Sequence, residues 1–167
     1  MSEKLITVKQ VNPEQPEVYK LIQDLDHYLI ERYPAESNHL DSIKTLQAQN
    51  VAVFAAYVNL KAKACGAIKL MQDDGNYGEV KRVYVSPDSR GLGLAKKIMQ
   101  ALENFALANE FRIIRLETGT EQPESIGLYQ KLGYNVRDAF ADYPEDDPYC
   151  VFMEKTLSVD NLINSET

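Results

Sequence analysis

The sequence predicts an α/β domain of the α+β kind: a mixed, largely antiparallel sheet of seven strands with helices on both faces. Three observations predict it. Apolar β-branched runs are interspersed with segments of helical period. Their order reads β-α-α-β-β-β-α-β-α-β-β, so strands and helices mix within one unit. The chain has 167 residues, 44% of them hydrophobic and 26% charged, which suits one globular domain with a full core.

The elements follow from local pattern. Residues 5–8 make a short first strand, broken by Asn12 and Pro13. A helix is expected over 16–32, because Val18, Leu21, Ile22, Leu25, Tyr28 and Leu29 recur on one helical face; Pro34 ends it. A second short helix is expected over 40–47. Residues 51–58 and 64–70 read as strands joined by a turn near Asn59 to Lys61. Asp73-Asp74-Gly75-Asn76 is turn chemistry, and a strand over 79–85 follows. Beyond a glycine-rich loop, Leu94, Ile98, Leu102 and Phe105 share one helical face, with Ala101 and Ala108 alongside. Residues 112–118 form the next strand, and a helix over 123–132 stops at Gly133, a C-cap residue. A strand starts over 134–136, and residues 149–156 form the last. Residues 1–157 make the domain and 158–167 a polar tail.

Composition narrows the function. A formal charge of -7 argues against general nucleic-acid binding, which needs a basic face. No apolar run approaches the ~20 residues of a membrane span. Met1-Ser2-Glu3-Lys4 lacks an apolar signal segment, so a cytoplasmic location is expected. Cys65 and Cys150 sit inside strand-like runs and read as buried free thiols. Two histidines and two cysteines, widely scattered, do not make a metal site, and no metal is expected.

The most informative stretch is Val83-Tyr84-Val85-Ser86-Pro87-Asp88-Ser89-Arg90-Gly91-Leu92-Gly93-Leu94-Ala95. It describes a strand, a tight loop and a helix whose first turn lacks bulk. The first amides of a helix have no partner within it, and aligned peptide dipoles make that end positive. Gly91 and Gly93 let an anion approach the backbone, and Arg90 adds a full charge, so the loop is suited to a phosphate. Lys81, Arg82, Lys96 and Lys97 are expected to add positive charge around it. The spacing G-x-x-x-x-G-K-[ST] of a mononucleotide loop is absent. The dinucleotide pattern G-x-G-x-x-G fails at Lys96 and lacks its later acidic residue. The pattern [QR]-x-x-G-x-[GA] fits as Arg90-Gly91-Leu92-Gly93-Leu94-Ala95.

On that loop the chain resembles the GNAT superfamily of acyl-coenzyme A N-acyltransferases. Glu79 to Val85 is similar to that family's fourth strand. Residues 122–134 are similar to its last helix, departing from it at Gln122 and Ser125, where asparagine and alanine are usual. The resemblance covers roughly residues 4–157. It implies a sheet splayed between strands four and five, with acetyl-coenzyme A as co-substrate. Its diphosphate would lie on Arg90, Gly91, Leu92, Gly93, Leu94 and Ala95, and its pantetheine arm along the free edge of Val83, Tyr84 and Val85. Gln122, Ser125 and Tyr129 would complete the cofactor site.

Transfer of an acyl group from a thioester to an amine needs a neutral amine, a stabilised carbonyl oxygen and, where the thiolate must leave, a proton donor; proximity supplies much of the rate. Glu79 is the candidate base, placed by strand alternation on the face of Val83. The competing reading is a strand-start carboxylate paired with Lys81 or Arg82. Tyr129 matches the family's tyrosine near the sulfur and is the candidate acid; the alternative is a packing tyrosine. A backbone N–H at Val83 or its neighbour would polarise the carbonyl.

The acceptor walls are expected from the loop Tyr33-Pro34-Ala35-Glu36-Ser37-Asn38-His39 and the acidic segment 142–149, with Arg32, Tyr33, Glu36, His39, Lys81, Arg82, Glu117 and Tyr143 as candidate contacts. Acidic residues there would draw a cationic amine, and Lys81, Arg82 or Arg32 could hold a carboxylate. The acidic run also reads as a solvated loop, and His39 as a loop hydrogen-bonder. The expected activity is acetylation of a small amino-acid-like or polyamine-like amine. A non-catalytic acyl-coenzyme A binding module and a protein N-terminal or lysine acetyltransferase are the alternatives, and a homodimer is left open.

Overall fold

The computed structural model describes residues 4–158. The expected tail therefore lies outside the described residues apart from Ser158. The elements are β1 (Ile6–Val11), α1 (Pro16–Arg32), α2 (Ile43–Leu46), β2 (Val51–Val58), β3 (Lys61–Met71), β4 (Tyr77–Val85), α3 (Leu94–Ala108), β5 (Ile113–Gly119), α4 (Pro123–Lys131), β6 (Asn135–Arg137) and β7 (Cys150–Thr156). Short 3-10 turns occupy Ala35–Ser37 and Pro87–Ser89.

The strands form one seven-stranded sheet in the order β1-β2-β3-β4-β5-β7-β6. Only β4 and β5 pair in parallel; every other neighbour is antiparallel. Fold class and element order are as expected, and the differences lie at element ends. β1 runs on to Val11, because its pairing with β2 continues past Val8 to Val11↔Val53. α2 is a single turn, shorter than 40–47, since Ser42 caps it by accepting from the Thr45 N–H at 3.1 Å. The β2–β3 hairpin turns through Asn59 and Leu60, both at positive φ, the geometry that matches strand twist in a two-residue loop.

Apolar residues on the two sheet faces form separate cores. Leu94, Ile98, Met99 and Leu102 of α3 pack with Ile68, Val80, Ile114 and Leu116, and Tyr129 of α4 joins them. On the opposite face Val18, Leu21 and Ile22 of α1 and Leu46 of α2 pack on Val53, Cys65 and Ala67.

The feature that positions the site is a β-bulge in β4. Cys65 pairs with Tyr84 and Ala67 with Lys81, so Gly66 faces both Arg82 and Val83. Arg82 has a φ of 57°, a left-handed conformation uncommon for a side chain of its size. Its guanidinium is held in place: Nε donates to Asp26 Oδ1 at 2.9 Å, and a terminal nitrogen donates to the Asp41 carbonyl at 2.5 Å. The bulge breaks strand alternation. Val80 and Val83 both face the α3 core, whereas Tyr84 packs on the α1 side. The expectation that Glu79 shares a face with Val83 therefore fails, for an inserted residue that no alternation count includes. β4 and β5 pair only from Tyr77↔Ile113 to Val80↔Leu116 and then part, leaving residues 81–85 without a β5 partner.

Gly66 allows the bulge to sit under α3. A Cβ built there would lie 2.5 Å from Ile98 Cγ2 and 3.3 Å from Val83 Cγ2. Gly66→Ala is expected to destabilise the fold by about 1–3 kcal/mol through overpacking, read as a lowered midpoint in denaturant unfolding with an unchanged slope.

Candidate active site

Two cavities open where β4 and β5 separate. The larger, of about 300 Å³, is lined by Val83, Tyr84, Val85, Arg90, Gly91, Gly93, Leu94, Ala95 and Lys96, with Gln122, Ser125 and Tyr129 from the α4 side. At its head, Gly93 is the N-cap of α3 with a φ of 74°, and Gly91 has a φ of 86°. A Cβ at either glycine would meet nothing within 4 Å, so the glycines serve backbone conformation and access rather than packing. No side chain caps α3 and its first turn carries no acid, so its leading amides are open to an anion. Arg90 is exposed and makes no hydrogen bond or ion pair among the described residues. Leu92 is not brought to the groove; its side chain packs against the α3 core.

The second cavity, of about 100 Å³, is lined by Tyr33, His39, Lys81, Arg82, Glu117, Tyr149 and Cys150 among others. Leu25, Val83, Gln122, Ser125 and Tyr129 line both cavities and form their common wall. Tyr129 is buried, its hydroxyl makes no hydrogen bond among the described residues, and burial pushes its phenol up to about 12. It therefore stays protonated at neutral pH. Tyr33 closes the far side: its hydroxyl accepts the Glu121 N–H at 3.0 Å and donates to Gln122 Oε1 at 3.3 Å. A Cβ at Gly119 would collide with that phenol, so this glycine makes room for it.

The structure rearranges the remaining candidates. Glu79 is buried, but it does not line the second cavity. Its carboxylate accepts a short hydrogen bond from the Tyr143 hydroxyl and pairs with Lys81 Nζ at 3.3 Å. The competing reading, a carboxylate paired with Lys81, describes what is seen. Lys81 Nζ also meets Asp41 Oδ2 at 2.9 Å and donates to the Tyr143 hydroxyl at 3.1 Å. Lys81 and Arg82 therefore neither add charge at the glycine loop nor stand free for a substrate carboxylate, because the buried Glu79 and the half-buried Asp26 and Asp41 already pair with them. Arg32 and Glu36 are exposed and outside both cavities; Arg32 stacks over Tyr28, 3.6 Å from its ring centre. The acidic residues Asp142, Glu145 and Asp146 face solvent, which fits the solvated-loop reading. From that segment only Tyr149 lines the cavity, while Tyr143 buttresses it from behind.

Glu117 is the centre of the second cavity. Its Oε2 lies 2.6 Å from His39 Nδ1 and 3.2 Å from Cys150 Sγ, with the thiol donating. Desolvation raises its carboxyl above the usual range, against the lowering effect of both hydrogen bonds. The Cys150 thiol is itself pushed up, first by burial and then by Glu117, so it is not an activated nucleophile. His39, Glu117 and Cys150 offer ligand atoms within 4.8 Å of one another. As placed, both Nδ1 and the thiol lie at hydrogen-bond distance from Oε2, so hydrogen bonds link the three. Sequence reading named His39 and Glu117 separately but missed their pairing, and it missed Asp26, Asp41 and Cys150 as site residues. These lie on segments far apart along the chain and carry no shared spacing.

Comparison with known proteins agrees with this architecture. The model of the Acetyltransferase (GNAT) family matches residues 18–134. An IAA acetyltransferase of Azospirillum brasilense is 39% identical over 152 residues, 91% of this chain and 98% of that protein. A putative acyl-CoA N-acyltransferase from Klebsiella pneumoniae is 35% identical and superposes with a TM-score of 0.75, covering 92% of this chain and 99% of that one. A Salmonella typhimurium acetyltransferase solved with acetyl-CoA shares the fold at 17% identity and a TM-score of 0.67, covering 92% and 95% of the two chains.

The thiols give a direct check on this geometry. Cys65 is fully buried, donates to the Arg82 carbonyl at 3.4 Å and is pushed up to about 12 by burial. It should resist alkylation until the protein unfolds. Cys150 should react slowly at pH 8 and several-fold faster in Glu117→Gln, since removing the adjacent charge favours the thiolate; mass-resolved alkylation kinetics measure both.

Proposed function

The chain belongs to the GNAT acetyltransferase family, and from that premise we propose that it moves the acetyl group of acetyl-coenzyme A onto a primary amine of a small molecule, by direct transfer in a ternary complex. The observation that carries this is the shared wall. A long groove headed by a helix N-terminus and a compact polar cavity meet at Val83 and Tyr129. A thioester in one and an amine in the other would thus be in reach of each other, with no covalent enzyme intermediate.

The groove takes the cofactor. The diphosphate lies on the amides of Gly91 to Ala95 and on Arg90, and the pantetheine arm runs along the edge of β4 that β5 leaves open. Leu92 contributes only backbone there. A backbone N–H near Val83 polarises the carbonyl. Tyr129 donates to the sulfur. At about 12 its phenol is a weaker acid than a thiol near 8.5, so it relays a proton rather than driving the departure. It gives its proton to the thiolate and regains one from the newly acylated nitrogen.

The small volume of the second cavity favours a compact acceptor over an extended peptide. Its fixed charges favour a cation: Lys81 and Arg82 face Asp26, Asp41, Glu79 and Glu117, leaving an excess of acids.

Thiol release from acetyl-coenzyme A across a panel of diamines, amino acids and aralkylamines tests the reading; no turnover above buffer would overturn it. Arg90→Ala should weaken coenzyme A binding roughly 10–100-fold by calorimetry, the worth of a charge-assisted hydrogen bond, while leaving the ligand-free melting temperature unchanged. Tyr129→Phe should lower kcat by about 10²-fold with the coenzyme A affinity retained.

A further inference from the structure

We propose that His39, oriented by Glu117, is the group that deprotonates the acceptor amine, and that Glu79 serves this site only by positioning Tyr143 and Lys81. The inference rests on the acetyl-transfer reading and assigns the base within it.

The geometry supports a directional pair. Nδ1 of His39 lies 2.6 Å from Glu117 Oε2. With Glu117 ionised, Nδ1–H donates along that line and Nε2 keeps its lone pair, and Nε2 makes no hydrogen bond among the described residues. The ring is fixed on its other side by Tyr143, packed edge-on at 5.0 Å and 78°. Tyr143 is held in turn by Glu79 and Lys81. His39 and Glu117 line the cavity that also holds Tyr129 and Val83, whereas Glu79 does not. A base, its orienting carboxylate and the proton donor thus share one chamber.

Several charged or titratable groups surround His39. Glu117 on β5 and Cys150 on β7 lie on one side, and Lys81, Glu79 and Arg82 on β4 with Asp41 on its own loop line the others. Tyr143 and Asp147 approach from the segment before β7. Most of the acids here are already partnered by Lys81 or Arg82. Glu117 is the carboxylate whose hydrogen bond reaches the imidazole itself.

The step balances. An ammonium acceptor gives one proton to Nε2 and becomes a neutral amine. Its nitrogen attacks the thioester carbon; the C–N bond forms and the C–S bond breaks. The second nitrogen proton returns to Tyr129, which has protonated the thiolate. The proton on His39 leaves to solvent, so each turnover releases one.

Two measurements decide. In the protein without substrate, long-range 1H–15N correlation should find the proton of neutral His39 on Nδ1 in the wild type and lose that tautomer preference in Glu117→Leu; only His27 adds a second histidine signal. With the amine turned over best in the panel, His39→Gln should lower kcat by about 10²–10⁴-fold and remove the limb of activity that rises with pH, leaving the KM for acetyl-coenzyme A intact. Glu117→Leu should lower kcat, and Glu117→Asp should retain part of it. Glu79→Gln should keep the limb. The inference is overturned if neutral His39 carries its proton on Nε2 in the wild type, or if His39→Gln keeps the wild-type profile. Loss of the limb in Glu79→Gln alone, or zinc-dependent recovery of activity after chelation, would also overturn it. The tautomer readout needs no acceptor, so failure of the amine panel is distinguishable from failure of the pair.

Discussion

The parting of β4 from β5 depends on one strained residue. Arg82 occupies a left-handed backbone conformation inside a strand, which costs energy unless the surroundings hold it. Asp26 on α1 and the Asp41 carbonyl hold it, and both lie across the sheet face from Val83. The bulge turns β4 away from its parallel neighbour after Val80, and the gap is what both cavities occupy. A regular strand would continue the ladder, fill the free edge and leave no chamber between them.

That constraint also sets the electrostatics. Two cations buried beside the gap would repel an ammonium and attract the wrong ligand. Asp26, Asp41 and Glu79 neutralise them in place, by ion pairs that removal of either partner would leave uncompensated. The groove keeps its positive end elsewhere, at Arg90 and the uncapped start of α3. The proposed anion and amine sites are therefore separated along β4 by only a few residues, with Tyr129 on their common wall.

How much of this could be read from the sequence follows from the range of the interactions. The glycine loop was legible because its chemistry is local: a strand, two glycines and a helix start fall within one short run, and their conformations answer the pattern directly. Sheet, helices and their order were legible from periodicity. The bulge was not, since arginine gives no warning of a positive φ, and so strand alternation put Glu79 on the wrong face. The pairing of His39 with Glu117 and Cys150 was out of reach for a related reason. A loop after α1, the end of β5 and the start of β7 meet only because the sheet order places β7 beside β5 and α1 above β4.

The proposed acid and base roles follow from two different environments. Tyr129 lies in an apolar wall with no hydrogen-bond partner among the described residues, so burial alone raises its phenol and keeps it protonated at neutral pH. His39 sits among polar groups with Nδ1 tied to a carboxylate, and its Nε2 makes no hydrogen bond among the described residues. Glu79 meets neither condition. Its Oε2 is already engaged by a hydroxyl and an ammonium, and it lies outside the cavity that holds Tyr129. The proposed acid and base thus line one cavity, which is what the proposed transfer between a sulfur and a nitrogen requires.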